Sequence, residues 1–169
     1  QSYVTLTKPK IILLLDLTAV AAFLVAAGSR VDLVRLVSVL LAGTHASGGA
    51  GALNSYIDRE IDRKMGRTSQ RPIPRGEVSP EQALVFGLGL VIAGLVVSLL
   101  LLPLLATFFI MLGAGIYVLF YTAYLKPRTT LNIVLGGSAG SCAPLAGWAA
   151  ATGQAGLAAV VLLVERGVP

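Results

Sequence analysis

An amide and two carboxylates recur at four-residue intervals near the first third of the sequence. Asn54, Asp58 and Asp62 stand at positions i, i+4 and i+8. In an α-helix this spacing places the three side chains within roughly 80° of one face, with steps of about 6 Å along the axis. Amide and carboxylate oxygens suit Mg²⁺, which keeps several waters and also binds phosphate oxygens. The spacing therefore predicts a row of magnesium ligands, and we call these three residues the acidic row.

Three arginines follow the acidic row. Arg67, Arg71 and Arg75 lie in the segment 58–81, which also holds the end of the acidic row. Guanidinium groups bind phosphate oxygens through paired, charge-assisted hydrogen bonds. Carboxylates, a divalent cation and arginines together indicate a diphosphate site.

The same pattern also fits a solvated helix end in which Asp and Arg side chains form exposed salt bridges. Such pairs stabilise a helix by only ~0.3–0.5 kcal/mol. The i, i+4 neighbours of Asp58 are Asn54 and Asp62, so two like charges are stacked in the row. Like charges at this spacing are mildly destabilising. A bound cation would relieve that repulsion, which favours the metal site.

The chain around these residues is too apolar for a soluble domain. Hydrophobic residues make up 56% of the 169 residues and charged residues 12%, whereas soluble domains carry about 25% charged residues. The chain contains long segments without charged side chains, such as 82–125. Such segments are typical of membrane helices. The predicted spans are 10–29, 34–57, 82–102, 104–125 and 131–151, with a partial span at 155–164. We therefore predict an all-α, polytopic transmembrane bundle that forms a single domain over residues 1–169.

The basic residues are distributed unequally between the two ends of these spans. With the N-terminus and the loop 58–81 on one side, eleven of the thirteen Lys and Arg residues lie on that side. The positive-inside rule then places the N-terminus and this loop in the cytoplasm, and the protein in the cell (inner) membrane. The same asymmetry accounts for the net charge of +5, so no nucleic-acid partner is predicted.

An aspartate and the single histidine of the chain, Asp16 and His45, fall inside predicted spans. Asp16 is costly at such a position; it could contact a proton or a water in a cavity, or reach Lys8 or Lys10 from a shallow position. His45 could ligate haem or form a hydrogen bond across a helix interface, and the small residues around it favour close helix packing. The sequence leaves both questions open.

These motifs resemble those of a known family of membrane enzymes. The acidic row with Arg59, followed by Arg67, Thr68, Arg71 and Pro72, is similar to the first aspartate-rich motif of the UbiA family of intramembrane prenyltransferases. A second block resembles the protohaem IX farnesyltransferase branch of that family. It comprises Tyr121, Thr122, Leu125, Lys126, Thr129, Asn132, Ile133 and Val134, then Gly136, Gly137, Ala139, Gly140, Pro144, Leu145 and the segment 147–153.

The resemblance implies a helical bundle around a central cavity, embedded in the lipid bilayer. The implied reaction moves a farnesyl group from farnesyl diphosphate to a vinyl group of protohaem (haem B), with addition of water and release of diphosphate. Mg²⁺ is the implied cofactor, and a haem-handling membrane partner is left unspecified. The implied catalytic and metal-binding residues are Asn54, Asp58 and Asp62, and the implied diphosphate contacts are Arg67, Arg71, Tyr121 and Lys126.

The sequence departs from the family's pattern towards its C-terminus. The family's second aspartate-rich motif has no counterpart after Asp62, where the remaining acids are Glu77, Glu81 and Glu165. We therefore expect an N-terminal part of such an enzyme, truncated to about five to six helices and inactive by itself. Two alternatives stay open: another UbiA-type prenyltransferase whose acceptor is a quinone precursor or chlorophyllide, and a membrane bundle without catalysis, such as a transporter.

Overall fold

The helices of the computed structural model follow the predicted spans closely. It describes the backbone of residues 2–125 and 132–154, and their side chains except those of 120, 121, 123–125 and 132–138. The elements are α1 (Ser2–Thr7), α2 (Pro9–Ala27), α3 (Leu33–Ile57), α4 (Arg59–Lys64), α5 (Pro80–Leu101), α6 (Leu104–Gly115), a π-helical segment (Ile116–Leu125) and α7 (Asn132–Thr152). The predicted all-α class is confirmed for the described part of the chain. The predicted partial span 155–164 lies outside the described residues.

Local sequence chemistry determines where these helices begin. Pro9 and Pro80 occupy first-turn positions of α2 and α5, where the missing N–H has no cost. The Asp32 carboxylate caps α3 by accepting hydrogen bonds from the backbone N–H of the second and third helical residues. Ser79 and Gln82 form a reciprocal capping box at the start of α5. Pro103 then separates α5 from α6.

In the part of the chain that the structure describes, three helices have the length and composition of membrane spans: α2, α3 and α5, with 19, 25 and 22 residues. The mean hydropathy of α3 is 1.3, against 2.2 for α2 and 2.8 for α5. Half of the most apolar stretch of α3 is buried, whereas 17% is buried in each of the other two. Because α3 is enclosed by its neighbours, it can carry polar groups that would be costly against lipid.

Glycines bring the helices into close contact. A Cβ atom added at Gly49 of α3 would lie 2.5 Å from the carbonyl oxygen of Gly87 in α5. A Cβ atom at Gly147 of α7 would clash with the carbonyl oxygen of Ala19 in α2. Helices in lipid associate through such small residues, since burial of apolar surface drives association only in water. The close packing expected from the small residues near His45 is therefore confirmed for α3 and α5.

The beginnings of α2 and α5 and the ends of α3 and the π-helical segment meet at one end of the bundle, which we call the motif end. The loop 65–79 closes over this end. A buried apolar cluster fixes the loop to the helices; it consists of Leu6, Ala52, Ile73, Val78 and Ala83. The loop therefore holds a defined position above the end of α3.

Candidate functional site

The acidic row points into the protein at the motif end. Asn54, Asp58 and Asp62 are each only 2% exposed. The backbone N–H of Asp58 donates to the carbonyl of Asn54 at 2.9 Å, and that of Asp62 donates to the carbonyl of Asp58 at 2.8 Å. Helical hydrogen bonding thus continues across the junction of α3 and α4, which keeps the three side chains on one face as the spacing predicts.

The opposite face of the same stretch carries the exposed salt bridges of the alternative interpretation. Glu60 lies 3.3 Å from Arg63 and 3.7 Å from Arg59, and its side chain is 63% exposed. Arg59 also stacks over the ring of Tyr56 at 4.5 Å. The solvated-helix interpretation is therefore correct for these outward charges, and the two aspartates do not belong to them.

Asn54 is the centre of a polar network. Its Nδ2 donates to Oδ2 of Asp58 at 3.0 Å and to Oγ1 of Thr122 at 2.9 Å. Its Oδ1 accepts a hydrogen bond from Nζ of Lys8. The Asn54 amide thus orients one carboxylate of the row and holds one ammonium group beside it.

Lys8 joins this network from the junction of α1 and α2. Its backbone is left-handed, with φ 59°, a conformation that is uncommon for residues other than glycine. Its Nζ also donates to Oη of Tyr117 at 3.0 Å and lies 5.6 Å from the centre of that ring. Strained backbone of this kind concentrates at functional sites. From the sequence, Lys8 is one of the basic residues on the predicted cytoplasmic side and a candidate partner of Asp16, whereas its contacts with Asn54 and Tyr117 are not predicted.

The π-helical segment brings Tyr117 and Thr122 to the same network. Oγ1 of Thr122 donates to the carbonyl of Tyr117, five residues earlier, at 2.8 Å. In an α-helix, residues five apart differ in direction by roughly 140°. A π-turn closes between i and i+5, so it aligns the two, and π-turns are frequent at functional sites. Periodicity predicted one uniform helix over 104–125 and could not show this change.

Arg71 reaches the acidic row from the loop. One of its guanidinium nitrogens (Nη1) lies 2.6 Å from Oδ2 of Asp62, and its side chain is 29% exposed. Thr68 adds a weaker contact from Oγ1 to the Asp62 carbonyl at 3.4 Å. By contrast, Arg67 is exposed, and Arg75 pairs with Glu77 at 3.1 Å. Of the loop arginines singled out from the sequence, the structure brings Arg71 to the row and leaves Arg67 on the surface.

A cavity of about 290 Å³ opens beside this network, between α2, α3, α6 with the π-helical segment, and α7. Most of its wall is apolar or small, and Lys8 and Tyr117 line its polar end. Its size is close to that of small ligand pockets, which start at about 300 Å³. The arrangement suits a ligand with an anionic head and an apolar body.

Asp16 lies in the wall of this cavity, about 12 Å along α2 from Lys8. Oγ1 of Thr44 donates to its carboxylate at 2.8 Å. Of the two positions considered for Asp16, the structure shows the one in the cavity, and Lys8 turns instead to Asn54 and Tyr117.

His45 bonds within its own helix, where its Nδ1 lies 2.6 Å from the Leu41 carbonyl. It is not among the residues that line the cavity in the described part of the chain. A contact from His45 to a ligand in that cavity therefore finds no support.

Two predicted contacts are not described. The side chain of Tyr121 lies outside the described residues, although its backbone belongs to the π-helical segment. Lys126 lies outside them altogether.

Within the described ranges, no group of three or more His, Cys, Asp and Glu residues could hold a metal by themselves. The row offers two buried carboxylates, Asp58 and Asp62. Asp58 is linked through Asn54 to Lys8, which lines the polar end of the cavity. One or two carboxylates, completed by water and substrate phosphates, is the ligand set that Mg²⁺ usually takes. The donors present therefore fit Mg²⁺ bound together with a phosphorylated ligand.

The chain matches the UbiA prenyltransferase family over residues 15–164, and it belongs to that family. It is 45% identical over 166 residues to a protohaem IX farnesyltransferase of Symbiobacterium thermophilum, covering 97% of this chain and 55% of the relative. It is 42% identical over 160 residues to the protohaem IX farnesyltransferase of Chloroflexus aurantiacus, covering 95% of this chain and 27% of the relative. The chain thus spans about half the length of such relatives, or less.

Solved structures show the same fold. A digeranylgeranylglyceryl phosphate synthase superposes with a TM-score of 0.86 at 21% identity, covering 98% of this chain and 57% of that protein. A UbiA homologue from Archaeoglobus fulgidus, bound to DMAPP and Mg²⁺, superposes with a TM-score of 0.83 at 18% identity, covering 99% of this chain and 60% of that protein. The predicted membrane bundle of the UbiA type is thereby confirmed.

Proposed function

We propose that this chain is the part of a protohaem farnesyltransferase that binds the diphosphate of farnesyl diphosphate together with Mg²⁺. The observation that carries the proposal is the buried acidic row, which has Arg71 on Asp62 and is linked through Asn54 and Lys8 to the polar end of an apolar cavity. Protohaem as acceptor is supported by the similarity to the protohaem IX farnesyltransferases of Symbiobacterium thermophilum and Chloroflexus aurantiacus. The bound DMAPP and Mg²⁺ of the Archaeoglobus fulgidus homologue support a prenyl diphosphate and a metal.

Each polar group of the acidic row and its surroundings has a distinct role in this proposal. Asp58 and Asp62 would hold the cation, and a cation bound there would supply positive charge next to the leaving diphosphate. Asn54 fixes the Asp58 carboxylate through the hydrogen bond from Nδ2. Arg71 supplies positive charge from the loop, and Arg67, Tyr121 and Lys126 remain proposed diphosphate contacts.

The cavity supplies the second requirement of the reaction. As the allylic C–O bond breaks, the electron pair leaves with the diphosphate, and the farnesyl carbon becomes electrophilic. Walls built from small and apolar side chains keep water from that carbon until the vinyl group of the acceptor reacts. Water then adds to the inner vinyl carbon and releases a proton.

We further propose that this chain has no turnover by itself. The sequence offers one aspartate row, and the acids beyond it are glutamates at 77, 81 and 165. Glu77 already pairs with Arg75 and accepts a hydrogen bond from Ser2. The second set of carboxylates would come from the remainder of a longer protein or from a separate chain.

The motif end is proposed to face the cytoplasm, with the protein in the cell membrane. In a Cys142→Ala background, a cysteine introduced at Gly66 in the exposed loop should resist a membrane-impermeant thiol reagent in intact cells and react in inverted membrane vesicles. Labelling in intact cells alone would reverse the assigned orientation.

Binding tests the proposed diphosphate site directly. The chain in lipid nanodiscs should bind farnesyl thiodiphosphate in the presence of Mg²⁺ and bind it at least tenfold more weakly in EDTA. Asp58→Asn should abolish the Mg²⁺-dependent component, because it removes a buried carboxylate. Glu60→Gln, a matched change on the exposed face, should leave the affinity unchanged. Binding that is equally strong without Mg²⁺, or in Asp58→Asn, would rule out the site.

Turnover tests the acceptor and the requirement for a second part. The chain alone should form no haem O from farnesyl diphosphate and protohaem. Co-expression with the C-terminal half of the Symbiobacterium thermophilum relative should restore prenylation of protohaem. Haem O made by the chain alone would contradict the proposed lack of turnover. Prenylation of a quinone precursor or chlorophyllide, with none of protohaem, would overturn the proposed acceptor.

A further inference from the structure

The contact between Arg71 and Asp62 occupies an oxygen that the proposed function needs for a cation. Oδ2 of Asp62 accepts from Arg71 at 2.6 Å, and the Asp62 side chain is 2% exposed. A divalent cation at this oxygen and a guanidinium at 2.6 Å from it would lie in the same space and repel each other. Oδ2 of Asp62 therefore becomes a metal ligand only when Arg71 moves away, and the guanidinium charge also weakens a cation at the other oxygen of the same carboxylate.

A diphosphate is a better partner for Arg71 than one carboxylate oxygen. The guanidinium group offers paired N–H donors that match phosphate oxygens bidentately. In the structure, only one of its nitrogens bonds Asp62 within hydrogen-bonding distance. Its side chain is 29% exposed, so a ligand that arrives at the motif end can reach it.

We propose that Arg71 pairs with Asp62 only until a prenyl diphosphate binds. This exchange makes the divalent cation and the prenyl diphosphate bind cooperatively. This inference rests on the proposed function. In the absence of diphosphate, Arg71 neutralises Asp62 and competes with the cation. When diphosphate enters, Arg71 transfers to its oxygens and leaves Asp62 available for the cation.

The loop is built so that this exchange requires only movement of a side chain. Ile73 and Val78 are buried in one apolar cluster with Leu6, and they fix the backbone on the C-terminal side of Arg71. Thr68 contacts the Asp62 carbonyl, which fixes the N-terminal side. The long Arg71 side chain can therefore swing between two anions while its Cα atom stays in place.

An exchangeable Arg71 and a merely structural ion pair predict different changes in cation affinity when Arg71 is removed. If Arg71 competes with the cation, its removal must strengthen binding of the cation alone while weakening binding of the diphosphate. If the pair only stabilises the loop, its removal weakens both or changes neither. Coupling between two ligands is reciprocal and typically changes affinities about 5–150-fold.

The experiment measures Mn²⁺ binding to the nanodisc-embedded chain by electron paramagnetic resonance, with no diphosphate present. Arg71→Gln should bind Mn²⁺ at least about fivefold more tightly than the unmodified chain. Asp62→Asn should lose this binding, and Arg71→Gln combined with Asp62→Asn should lose the gain. Arg59→Gln removes the same charge from the outward face, where Arg59 contacts Tyr56 and Glu60, and should leave Mn²⁺ affinity unchanged.

A second arm measures farnesyl thiodiphosphate binding at fixed free Mg²⁺, where Arg71→Gln should lower the affinity. Thermal unfolding of each variant provides the check that the bundle is intact. Unchanged or weaker Mn²⁺ binding in folded Arg71→Gln, or an equal gain in Arg59→Gln, would overturn the exchange. If Mg²⁺-dependent, Asp58-dependent farnesyl thiodiphosphate binding persists in that case, the proposed function survives; if that binding is absent from the unmodified chain, the proposed function itself fails.

Discussion

The two faces of the α3–α4 stretch carry similar residues in opposite environments. On the inner face, Asp58 and Asp62 are buried, and each is fixed by a hydrogen bond from another buried or half-buried side chain. On the outer face, Glu60 and Arg63 pair at 3.3 Å with more than half of each side chain exposed. Charged residues of both faces alternate along one short segment of the chain, so the direction in which the helix points each side chain decides whether its charge is buried or exposed.

The charges on the two faces also differ in how much they contribute to the stability of the protein. Exposed pairs are weakened by solvent and by the entropy of holding two long side chains in one geometry. Buried charges are costly to desolvate and persist where hydrogen bonds compensate them. The inner face is therefore the one where a single substitution has a large effect.

The largest expected effect on stability comes from Asn54→Ala. This substitution deletes the hydrogen bonds from Asn54 to Asp58 and Thr122 and the one from Lys8 to Asn54. Hydrogen bonds to charged groups contribute about 1.5–3 kcal/mol each, so we expect a loss of about 3–5 kcal/mol in the free energy of unfolding. Unfolding of the purified chain in mixed micelles, followed by circular dichroism, measures this loss. An effect as small as that of Arg63→Ala would show that the network does not stabilise the fold.

The substitution Gly49→Ala tests the packing of α3 against α5. The added Cβ atom would lie 2.5 Å from the Gly87 carbonyl oxygen and 2.8 Å from Val91 atoms. Overpacking of this kind costs about 1–3 kcal/mol, because α3 and α5 must separate. The same unfolding measurement applies. Gly89→Ala in α5 is the matched control: its Cβ atom meets nothing within 4 Å, and alanine should stabilise the helix by about 0.5–1 kcal/mol. Equal effects at the two positions would mean that this close contact is not what holds α3 to α5.

Spacing and composition predicted the acidic row and the five spans because both depend on neighbours along the chain. Helical periodicity alone puts Asn54, Asp58 and Asp62 on one face, and hydrogen bonding across the α3–α4 junction keeps them there. Arg71 is only nine residues from Asp62, so its place near the row could also be predicted from the sequence. The predicted partner of Arg71 is a diphosphate, however, whereas its partner in the structure is Asp62.

The remainder of the site depends on contacts between distant segments. Lys8 meets Asn54 across 46 residues and Tyr117 across 109, and Thr122 meets Asn54 across 68. Thr122 and Tyr117 also share a face only because the helix changes to a π-turn between them. Periodicity in one sequence contains no information about which helices are adjacent, so these residues could not be joined before the structure was known.

The smallest expected effect is that of Glu60→Gln, which completes the comparison of the two faces. It removes the exposed pairs from Glu60 to Arg59 and Arg63, and each such pair contributes about 0.2–1 kcal/mol. Since Gln keeps a similar shape and helix propensity, the free energy of unfolding should fall by less than about 1 kcal/mol. The loss should also shrink further in high salt, because exposed charges are screened. A loss of several kcal/mol that persists in high salt would show that the outer face is buried against another surface, and the contrast with Asp58 and Asp62 would then disappear.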